Sequence, residues 1–252
     1  MTEQNFYILV YAWIAAALVI FPFVLKIAAP YGRHTTQKWG MLIGNKAGWI
    51  IMESASLVVF ALFFLFGSIR HNPVTWIFFG LYTLHYINRT FIFPLRTRTT
   101  GKKMSLSVVF MALGFNFMNG FLNGYYLGSV ATWYTLSWLS DPRFIFGILL
   151  FFCGMGINMW ADNRLIHLRK PGETGYVIPT GGLFRFISCP NHFGEIIEWT
   201  GWALMTWSAP GLSFAVWTFA NLMPRALHHH KWYKKTFINY PEERKAVFPY
   251  IL

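Results

Sequence analysis

The chain has 252 residues, of which 55% are hydrophobic and only 12% are charged, and its formal net charge is +12. Soluble domains carry about 25% charged residues, so this composition is typical of a membrane protein and argues against a soluble nucleic-acid-binding protein. The two cysteines, Cys153 in an apolar run and Cys189 in a loop, give neither a disulfide framework nor a zinc-binding spacing.

Seven apolar stretches follow one another along the chain, and some of them only just reach the length of about 20 residues that a membrane-spanning helix needs. They lie near residues 6–27, 47–67, 74–93, 106–127, 144–161, 193–208 and 212–228. We therefore predict an all-α, polytopic membrane protein with seven transmembrane helices, which forms a single domain over residues 1–252.

The distribution of basic residues predicts the orientation of this protein. Most of the 21 Lys and Arg residues lie in loops on one side, whereas Arg70 and Arg143 lie on the other side and Arg89 lies within the third stretch. By the positive-inside rule, the N-terminus faces out and the C-terminus faces the cytoplasm, which requires an odd number of spans. We expect a multi-pass membrane protein. We favour a bacterial protein, which would lie in the cytoplasmic membrane; a eukaryotic protein would lie in a membrane of the endoplasmic reticulum type.

Ionisable side chains within an apolar stretch are costly and often functional. Glu53 is the lone acid of the second stretch, and Tyr86 precedes Arg89 by three residues on roughly the same helix face. A buried carboxyl is either paired or protonated. The pattern alone favours a structural pairing of Glu53, for example with Arg89; the alternative is that a neutral Glu53 and Tyr86 donate hydrogen bonds to a substrate carbonyl.

Polar side chains also enter the ends of the fifth and sixth stretches. Asn158 and Asp162 are four residues apart, and Glu195 and Glu198 are three apart, so each pair shares a helix face. Each pair alone could be ordinary helix-end polarity, and Asn191 could be a helix N-cap. Because the basic loops lie on the same side of the membrane, the whole cluster predicts a cytoplasmic pocket for an anion such as a nucleotide phosphate.

Three adjacent histidines, residues 228–230, end the last stretch close to Arg225 and Tyr233. Neighbouring residues of a helix point in different directions, so the three rings cannot all chelate one ion, and we predict no metal site. We favour instead a role for these histidines in binding a phosphate by hydrogen bonding and charge. Since no Gly-x-Gly-x-x-Gly motif follows a strand, any nucleotide must be held by the helical bundle itself.

Several of these motifs, in this order, closely resemble those of the steroid 5α-reductases. They are LRKPGE at residues 168–173, IPTGGLF at 178–184 (whose glycines also indicate a tight turn), NHFGEIIEW at 191–199, and RALHHH at 225–230 followed by Tyr233. Shorter similarities lie at residues 31–35, at Glu53 and at residues 85–91. The resemblance spans nearly the whole chain and is strongest after Gly154.

The resemblance implies a seven-helix membrane reductase that uses NADPH to reduce the C4–C5 double bond of a 3-oxo-Δ4-steroid by hydride transfer to C5. Glu53 and Tyr86 match the pair that hydrogen-bonds the 3-oxo group, and Trp199 would line the steroid pocket. Most of the cofactor site would lie in residues 144–252. The cofactor-binding positions are matched by Arg33, Arg98, Asn158, Asp162, Arg169, Tyr176, Asn191, Glu195, Arg225, His229 and Tyr233.

Other functions stay open at this point. A reductase could act on a polyprenyl lipid or an enoyl thioester instead, and a membrane lipid methyltransferase could share a similar polar C-terminal half. A transporter would more naturally show paired broken helices or a repeat. Glu53 and Tyr86 on separate helices favour carbonyl activation, so we expect a steroid or other lipid enone and membrane lipid as partners, with no nucleic acid and no obligate protein partner.

Overall fold

The computed structural model describes residues 1–27, 40–99, 101–168 and 175–252, so Arg33 and Arg169 lie outside the described residues. About three quarters of the described residues are helical. Its α-helices are α1 Glu3–Lys26, α2 Asn45–Leu65, α3 Pro73–Ile87, α4 Phe93–Arg96, α5 Leu106–Tyr125, α6 Pro142–His167, α7 Pro190–Thr206 and α8 Ala209–Thr236. The remaining elements are strands β1 Leu42–Gly44 and β2 Lys103–Ser105, π-helices Asn88–Ile92 and Tyr126–Val130, and 3₁₀-helices Leu136–Ser140 and Gly182–Arg185.

All seven apolar stretches fall on helices, which confirms the prediction of an all-α fold. Among the described residues, four helical segments are long and apolar enough to cross a membrane: Glu3–Lys26, Asn45–Leu65, Leu106–Val130 and Pro142–His167. The segments over α3, α7 and α8 do not reach that limit of length and composition. The structure therefore supports a membrane protein, while the seven-span count and the orientation of the termini stay predictions.

The chain divides into two compact units. The first unit contains α2 to α5 together with residues 1–10. The second contains α7, α8 and nearly all of α6, together with the part of α1 that follows Val10.

In the first unit, α2 and α5 pack backbone against backbone. A Cβ atom added to Gly120 of α5 would lie 2.7 Å from the carbonyl oxygen of Ser56, and one added to Gly124 would lie 2.6 Å from that of Phe60. Within a bilayer such close approach is made possible by small residues, since hydrophobicity alone does not drive helices together. As a consequence, polar side chains beside these glycines on α5 meet those of α2 and α3.

A short antiparallel ribbon joins the N-terminal ends of α2 and α5. Leu42 of β1 pairs with Ser105 of β2, and the amide of Leu106 donates to the carbonyl of Met41 at 2.8 Å. Below the ribbon, Met52, Met104 and Val109 form an apolar cluster. The ribbon and this cluster fix the register between the two helices.

Local sequence signals define the start of α3 and the element that follows it. Asn72 is the N-cap, and its side chain accepts hydrogen bonds from the amides of Val74 at 2.9 Å and Thr75 at 3.1 Å, while Pro73 occupies the first turn. After Ile87 the chain continues as a π-helix over Asn88–Ile92. Such segments are rare, occur frequently at functional sites, and here this one carries Arg89.

In the second unit, paired glycines bring α6 and α7 together. A Cβ atom added to Gly194 would lie 2.6 Å from the carbonyl oxygen of Gly154, and one added to Gly201 would lie 2.6 Å from that of Gly147. The glycines are seven residues apart on each helix and pair in opposite order, so the helices run antiparallel. The C-terminal half of α6 therefore lies against the N-terminal half of α7.

The residues after α8 fold back onto the segment that leads into α7. The amide of Lys245 donates to the carbonyl of Phe186 at 2.9 Å, and the amide of Ser188 donates to that of Lys245 at 2.8 Å. Ala246 and Val247 then join an apolar cluster with α7 and α8. These contacts anchor the C-terminal segment within the second unit.

Candidate active site

Glu53 lies on α2 and is 9% exposed. The Nε atom of Arg89 is 3.7 Å from one of its carboxylate oxygens, and the amide nitrogen of Asn116 donates to the other at 3.4 Å. The pairing with Arg89 that the sequence allowed is thus observed. A neighbouring guanidinium favours the ionised carboxylate whereas burial favours the neutral acid, and both influences act on Glu53.

Arg89 is held in place by aromatic rings. Its guanidinium carbon is 4.7 Å from the centroid of the Trp49 ring and 5.4 Å from that of Phe93. The indole nitrogen of Trp49 also donates to the carbonyl oxygen of Arg89 at 2.9 Å. Cation–π contacts of this kind orient the cation, so the positive charge beside Glu53 has a fixed position.

Tyr86 is 3% exposed and belongs to a hydrogen-bonded cluster that joins α2, α3 and α5. The amide nitrogen of Asn119 donates to the hydroxyl oxygens of Tyr86 at 3.3 Å and of Tyr82 at 3.1 Å. The hydroxyls of Tyr82 and Ser56 are 2.6 Å apart, and the Tyr82 and Tyr86 rings stack with centroids 4.8 Å apart. Glu53 meets the same face of α5 through Asn116, three residues before Asn119. Glu53 and Tyr86 are therefore both held, side by side, by the asparagine face of α5.

Sequence reasoning missed Ser56, Tyr82, Asn116 and Asn119. A signal was present, because Asn116, Asn119 and Asn123 recur at helical spacing within an apolar stretch and therefore share one face of α5. Buried amides in such a stretch need partners and commonly mark a polar site. Hydrogen-bond donors grouped in a dry environment can stabilise an oxygen atom on which negative charge develops.

The second unit brings together four of the predicted cofactor-binding residues. The amide nitrogen of Asn158 donates to the carbonyl of Asn191 at 3.0 Å and to a carboxylate oxygen of Glu195 at 3.4 Å. The amide nitrogen of Asn191 donates to Asp162 at 3.1 Å. The alternative that Asn191 is a helix N-cap was wrong: α7 begins at Pro190 with Cys189 as its N-cap, and the Asn191 side chain donates across to Asp162 of α6 instead.

The histidines at 228–230 lie inside α8, so the prediction that this helix ends with them was wrong. Neither proline nor glycine follows before Thr236, and a helix needs no apolar residues to continue. The three rings point in different directions, as predicted. Nε2 of His228 donates to the carbonyl of Val24 at 3.1 Å, the His229 ring centroid is 5.7 Å from that of His192, and Nδ1 of His230 is 2.7 Å from the Ser188 hydroxyl.

Arg225, His229 and Tyr233 recur every four residues and share one face of α8. Tyr233 is 4% exposed and stacks on Tyr240 with centroids 5.2 Å apart. Because His229 contacts His192, which adjoins Asn191 in the first turn of α7, this face is linked to the amide cluster of α6 and α7. Among the residues that the structure describes, no group of three metal-ligating side chains occurs.

The other predicted site residues have varied surroundings. The Tyr176 ring is 40% exposed and lies 5.0 Å from that of Trp232, and Arg98 is exposed. Trp199 is 1% exposed, and its ring centroid is 3.8 Å from that of Phe214. The roles of these residues in binding cofactor or steroid stay predictions.

A further polar group, which sequence reasoning missed, lies where the C-terminal segment returns. The Ser188 hydroxyl is 2.7 Å from His230 and 2.6 Å from the Tyr240 hydroxyl. Burial, followed by the charges of Lys234, Arg244 and Lys245, lowers the pKa of His230 from 6.5 to about 4. The imidazole is therefore neutral near pH 7. No local signal predicted this group, because it depends on a contact between segments far apart in sequence.

The apolar helices, with polar clusters buried among the helices, indicate a helical membrane protein as the class of this chain. Residues 102–252 match the model of the family described as 3-oxo-5-alpha-steroid 4-dehydrogenase. The chain belongs to this family, the steroid 5α-reductases, so it is an oxidoreductase acting on CH–CH groups, as predicted, in a family that uses a nicotinamide cofactor.

Individual relatives match nearly the whole chain. Steroid 5-alpha-reductase DET2 of Gossypium hirsutum is 45% identical over 233 residues, which cover 89% of each protein. The 3-oxo-5-alpha-steroid 4-dehydrogenase 1 of Bos taurus is 40% identical over 248 residues, with 97% of this chain and 96% of the relative covered. The 3-oxo-5-alpha-steroid 4-dehydrogenase 2 of Macaca fascicularis is 41% identical over 238 residues, with 90% and 91% covered. These plant and mammalian relatives give no support to a bacterial origin.

Proposed function

We propose that this protein is an NADPH-dependent 3-oxo-5α-steroid 4-dehydrogenase, which reduces the C4–C5 double bond of a 3-oxo-Δ4-steroid. The observation that carries the proposal is that Glu53 and Tyr86, from separate helices, are both buried and each accepts a hydrogen bond from an asparagine on the same face of α5, in a chain of this family. The names of its relatives, steroid 5-alpha-reductase and 3-oxo-5-alpha-steroid 4-dehydrogenase, support the steroid as substrate.

The cluster suits the charge that the reaction creates. Addition of a hydride at C5 moves an electron pair toward the 3-oxo oxygen, and a proton is then taken up at C4. Donors already aimed at that oxygen lower the barrier because they need no reorganisation during the reaction. Tyr86 supplies one such hydrogen bond from its phenol.

Glu53 can supply the other hydrogen bond only as a neutral acid. Arg89 and Asn116 hold its two oxygens, and the guanidinium favours the charged form. An apolar substrate excludes water from the cluster and increases the cost of that charge. We therefore infer that Glu53 takes up a proton as the steroid binds, while Arg89 stays anchored by Trp49 and Phe93.

The residues of the second unit fit a dinucleotide cofactor. The guanidinium of Arg225 and the imidazole of His229 suit phosphate, and the amides and carboxylates of the Asn158–Asn191 group suit ribose hydroxyls and the nicotinamide carboxamide. When bound, NADPH supplies the hydride. We propose that the cofactor is held by Arg33, Arg98, Asn158, Asp162, Arg169, Tyr176, Asn191, Glu195, Arg225, His229 and Tyr233, and that Trp199 lines the steroid pocket.

The direct test is to incubate the purified protein in detergent with NADPH and progesterone or testosterone. We expect loss of nicotinamide absorbance together with one equivalent of the 4,5-dihydro product, and a slower reaction with NADH. Consumption of NADPH with a polyprenyl or enoyl thioester substrate but not with either steroid would assign the protein to the alternative reductase class. Methyl transfer without NADPH consumption would overturn the proposal altogether.

We also propose that all seven apolar stretches cross the membrane, with the N-terminus outside and the C-terminus in the cytoplasm. Support comes from the basic loops on one side, since only Arg70 and Arg143 lie in the opposite loops. Reporter domains fused to each terminus test this. Both termini on the same side would contradict an odd number of spans.

A further inference from the structure

Two asparagines on one face of α5 form a chain of hydrogen bonds that ends on Tyr82 and Tyr86. The side-chain nitrogen of Asn123 donates to the side-chain oxygen of Asn119 at 3.2 Å and to its carbonyl at 3.0 Å. The side-chain nitrogen of Asn119 in turn donates to Tyr82 at 3.1 Å and Tyr86 at 3.3 Å. Asn119 and Asn123 are each 2% exposed, so these bonds form without competition from bulk water.

The two ends of an amide are chemically different, and this fixes the direction of the set. The oxygen only accepts and the nitrogen only donates. Because Asn123 donates to the oxygen of Asn119, the nitrogen of Asn119 must face the two phenols. A phenol oxygen that accepts a hydrogen bond keeps its own proton available for donation.

Tyr82 provides a second group behind Tyr86. Its ring stacks on that of Tyr86 at an interplanar angle of 30°, its hydroxyl is 2.6 Å from that of Ser56, and it accepts a hydrogen bond from the same Asn119 nitrogen that donates to Tyr86. Donors to a phenol oxygen polarise its O–H bond, since hydrogen bonds in a chain strengthen one another. Asn119 supplies one such donor, and Tyr82, which accepts from the same nitrogen, helps to fix the direction of that donor.

We propose that Asn119 and Tyr82 are positioning residues for the reaction, which orient and polarise Tyr86 as a hydrogen-bond donor to the substrate oxygen. This inference rests on the proposed function, because it assumes that Tyr86 contacts the 3-oxo group. Neither residue touches the substrate in this scheme. Both act only through the Tyr86 hydroxyl.

The test is a double-mutant cycle that measures turnover of a 3-oxo-Δ4-steroid and the Kd of NADPH. We expect Tyr82→Phe, which keeps the ring, to lower kcat about 3- to 10-fold, and Asn119→Leu to lower it by a similar factor, because each removes one hydrogen bond. The Kd of NADPH should not change. In a Tyr86→Phe background, both effects should vanish, since the hydroxyl through which they act is gone.

Tyr125→Phe is the matched control. This phenol donates to the carbonyl of Met1 at 3.2 Å, outside the cluster, so kcat should not change. If Asn119→Leu does not fold, Tyr82→Phe alone still completes a cycle with Tyr86→Phe.

Equal losses of kcat in both backgrounds would indicate a merely structural role and overturn the inference. An unchanged kcat in the single variants would also overturn it. Failure of the proposed function looks different: the unmodified protein would not reduce the steroid, or Tyr86→Phe would react as fast as the unmodified protein. The inference would then fall with it.

Discussion

Substitution of Gly154 by alanine tests whether the proposed cofactor site depends on the close contact between α6 and α7. The added Cβ atom would lie 2.5 Å from the carbonyl oxygen of Gly194 and would also meet the backbone amide of Glu198. An ordinary contact of this kind is at least 3.4 Å, so the helices must separate locally by at least about 0.9 Å. Overpacking of this extent costs about 1–3 kcal/mol.

The same separation reaches the polar cluster one turn further along α6. The hydrogen bond from Asn158 to the carbonyl of Asn191 is 3.0 Å long, and a displacement of about 0.9 Å would break it. With about 1 kcal/mol for each lost hydrogen bond, and two of them affected, we expect the Kd of NADPH to rise about 5- to 50-fold. Quenching of protein fluorescence or enhancement of nicotinamide fluorescence measures this Kd.

Two further glycines of α6 serve as controls. Gly156→Ala places its Cβ atom where nothing lies within 4 Å, so NADPH affinity should not change. Gly147→Ala meets the backbone amide of Met205 at 2.5 Å, which should lower the thermal stability as Gly154→Ala does. Because Gly147 is three helical turns from Asn158, its effect on NADPH affinity should be much smaller. Equal NADPH affinity in Gly154→Ala and the unmodified protein would refute the reasoning.

Further predictions concern the carboxyl, the cations and pH. Glu53→Gln should lower turnover about 100-fold, because one donor to the developing oxyanion is weakened, with little change in NADPH affinity; unchanged turnover would remove Glu53 from carbonyl activation. Arg169→Ala and Arg225→Ala should each weaken NADPH binding about 10-fold or more, measured by titration, and unchanged affinity would place that residue outside the phosphate site. For His230, the folded pKa of about 4 lies below the ordinary 6.5, so between these values the unfolded chain binds the proton first. Stability should therefore fall as pH drops from 6.5 toward 4, and thermal unfolding of His230→Gln should show a smaller dependence on pH.

Hydropathy predicted where the helices lie, because burial in lipid demands continuous apolar sequence, but it did not predict where each helix ends. α8 continues to Thr236, well beyond the apolar stretch that ends at residue 228, because backbone hydrogen bonds need no apolar side chains. Helical spacing also indicated that Asn158 and Asp162 share a face. Which helix that face meets depends on the glycine contacts of Gly154 and Gly194, which no local pattern reveals.

The cluster around Tyr86 was only half predictable for a related reason. Glu53 stood out as a lone charge, whereas Asn119 is neutral and lies in a stretch whose average is apolar. Its importance follows from its partners on α3, which sequence alone does not supply. The contact of Ser188 with His230 and Tyr240 likewise joins segments more than 40 residues apart, so no periodicity could indicate it.

Both polar clusters are built by the same combination of a glycine and an asparagine one turn apart. Gly120 and Asn116 are four residues apart on α5, and Gly154 and Asn158 are four apart on α6. In each case the glycine lets a neighbouring helix approach, and the amide then reaches that helix's backbone: Asn116 donates to Met52 at 2.7 Å and Asn158 to Asn191 at 3.0 Å.

This shared construction has a physical basis. Where lipid removes the hydrophobic drive for helix association, backbone contact and buried amide hydrogen bonds are what hold helices in one register. It also predicts separable defects, because each glycine supports only its own cluster. Gly120→Ala, whose Cβ atom would lie 2.7 Å from the carbonyl of Ser56, should impair steroid turnover while NADPH affinity is retained. Gly154→Ala should mainly weaken NADPH binding. A matched loss of both properties in both variants would show instead that the glycines support general stability.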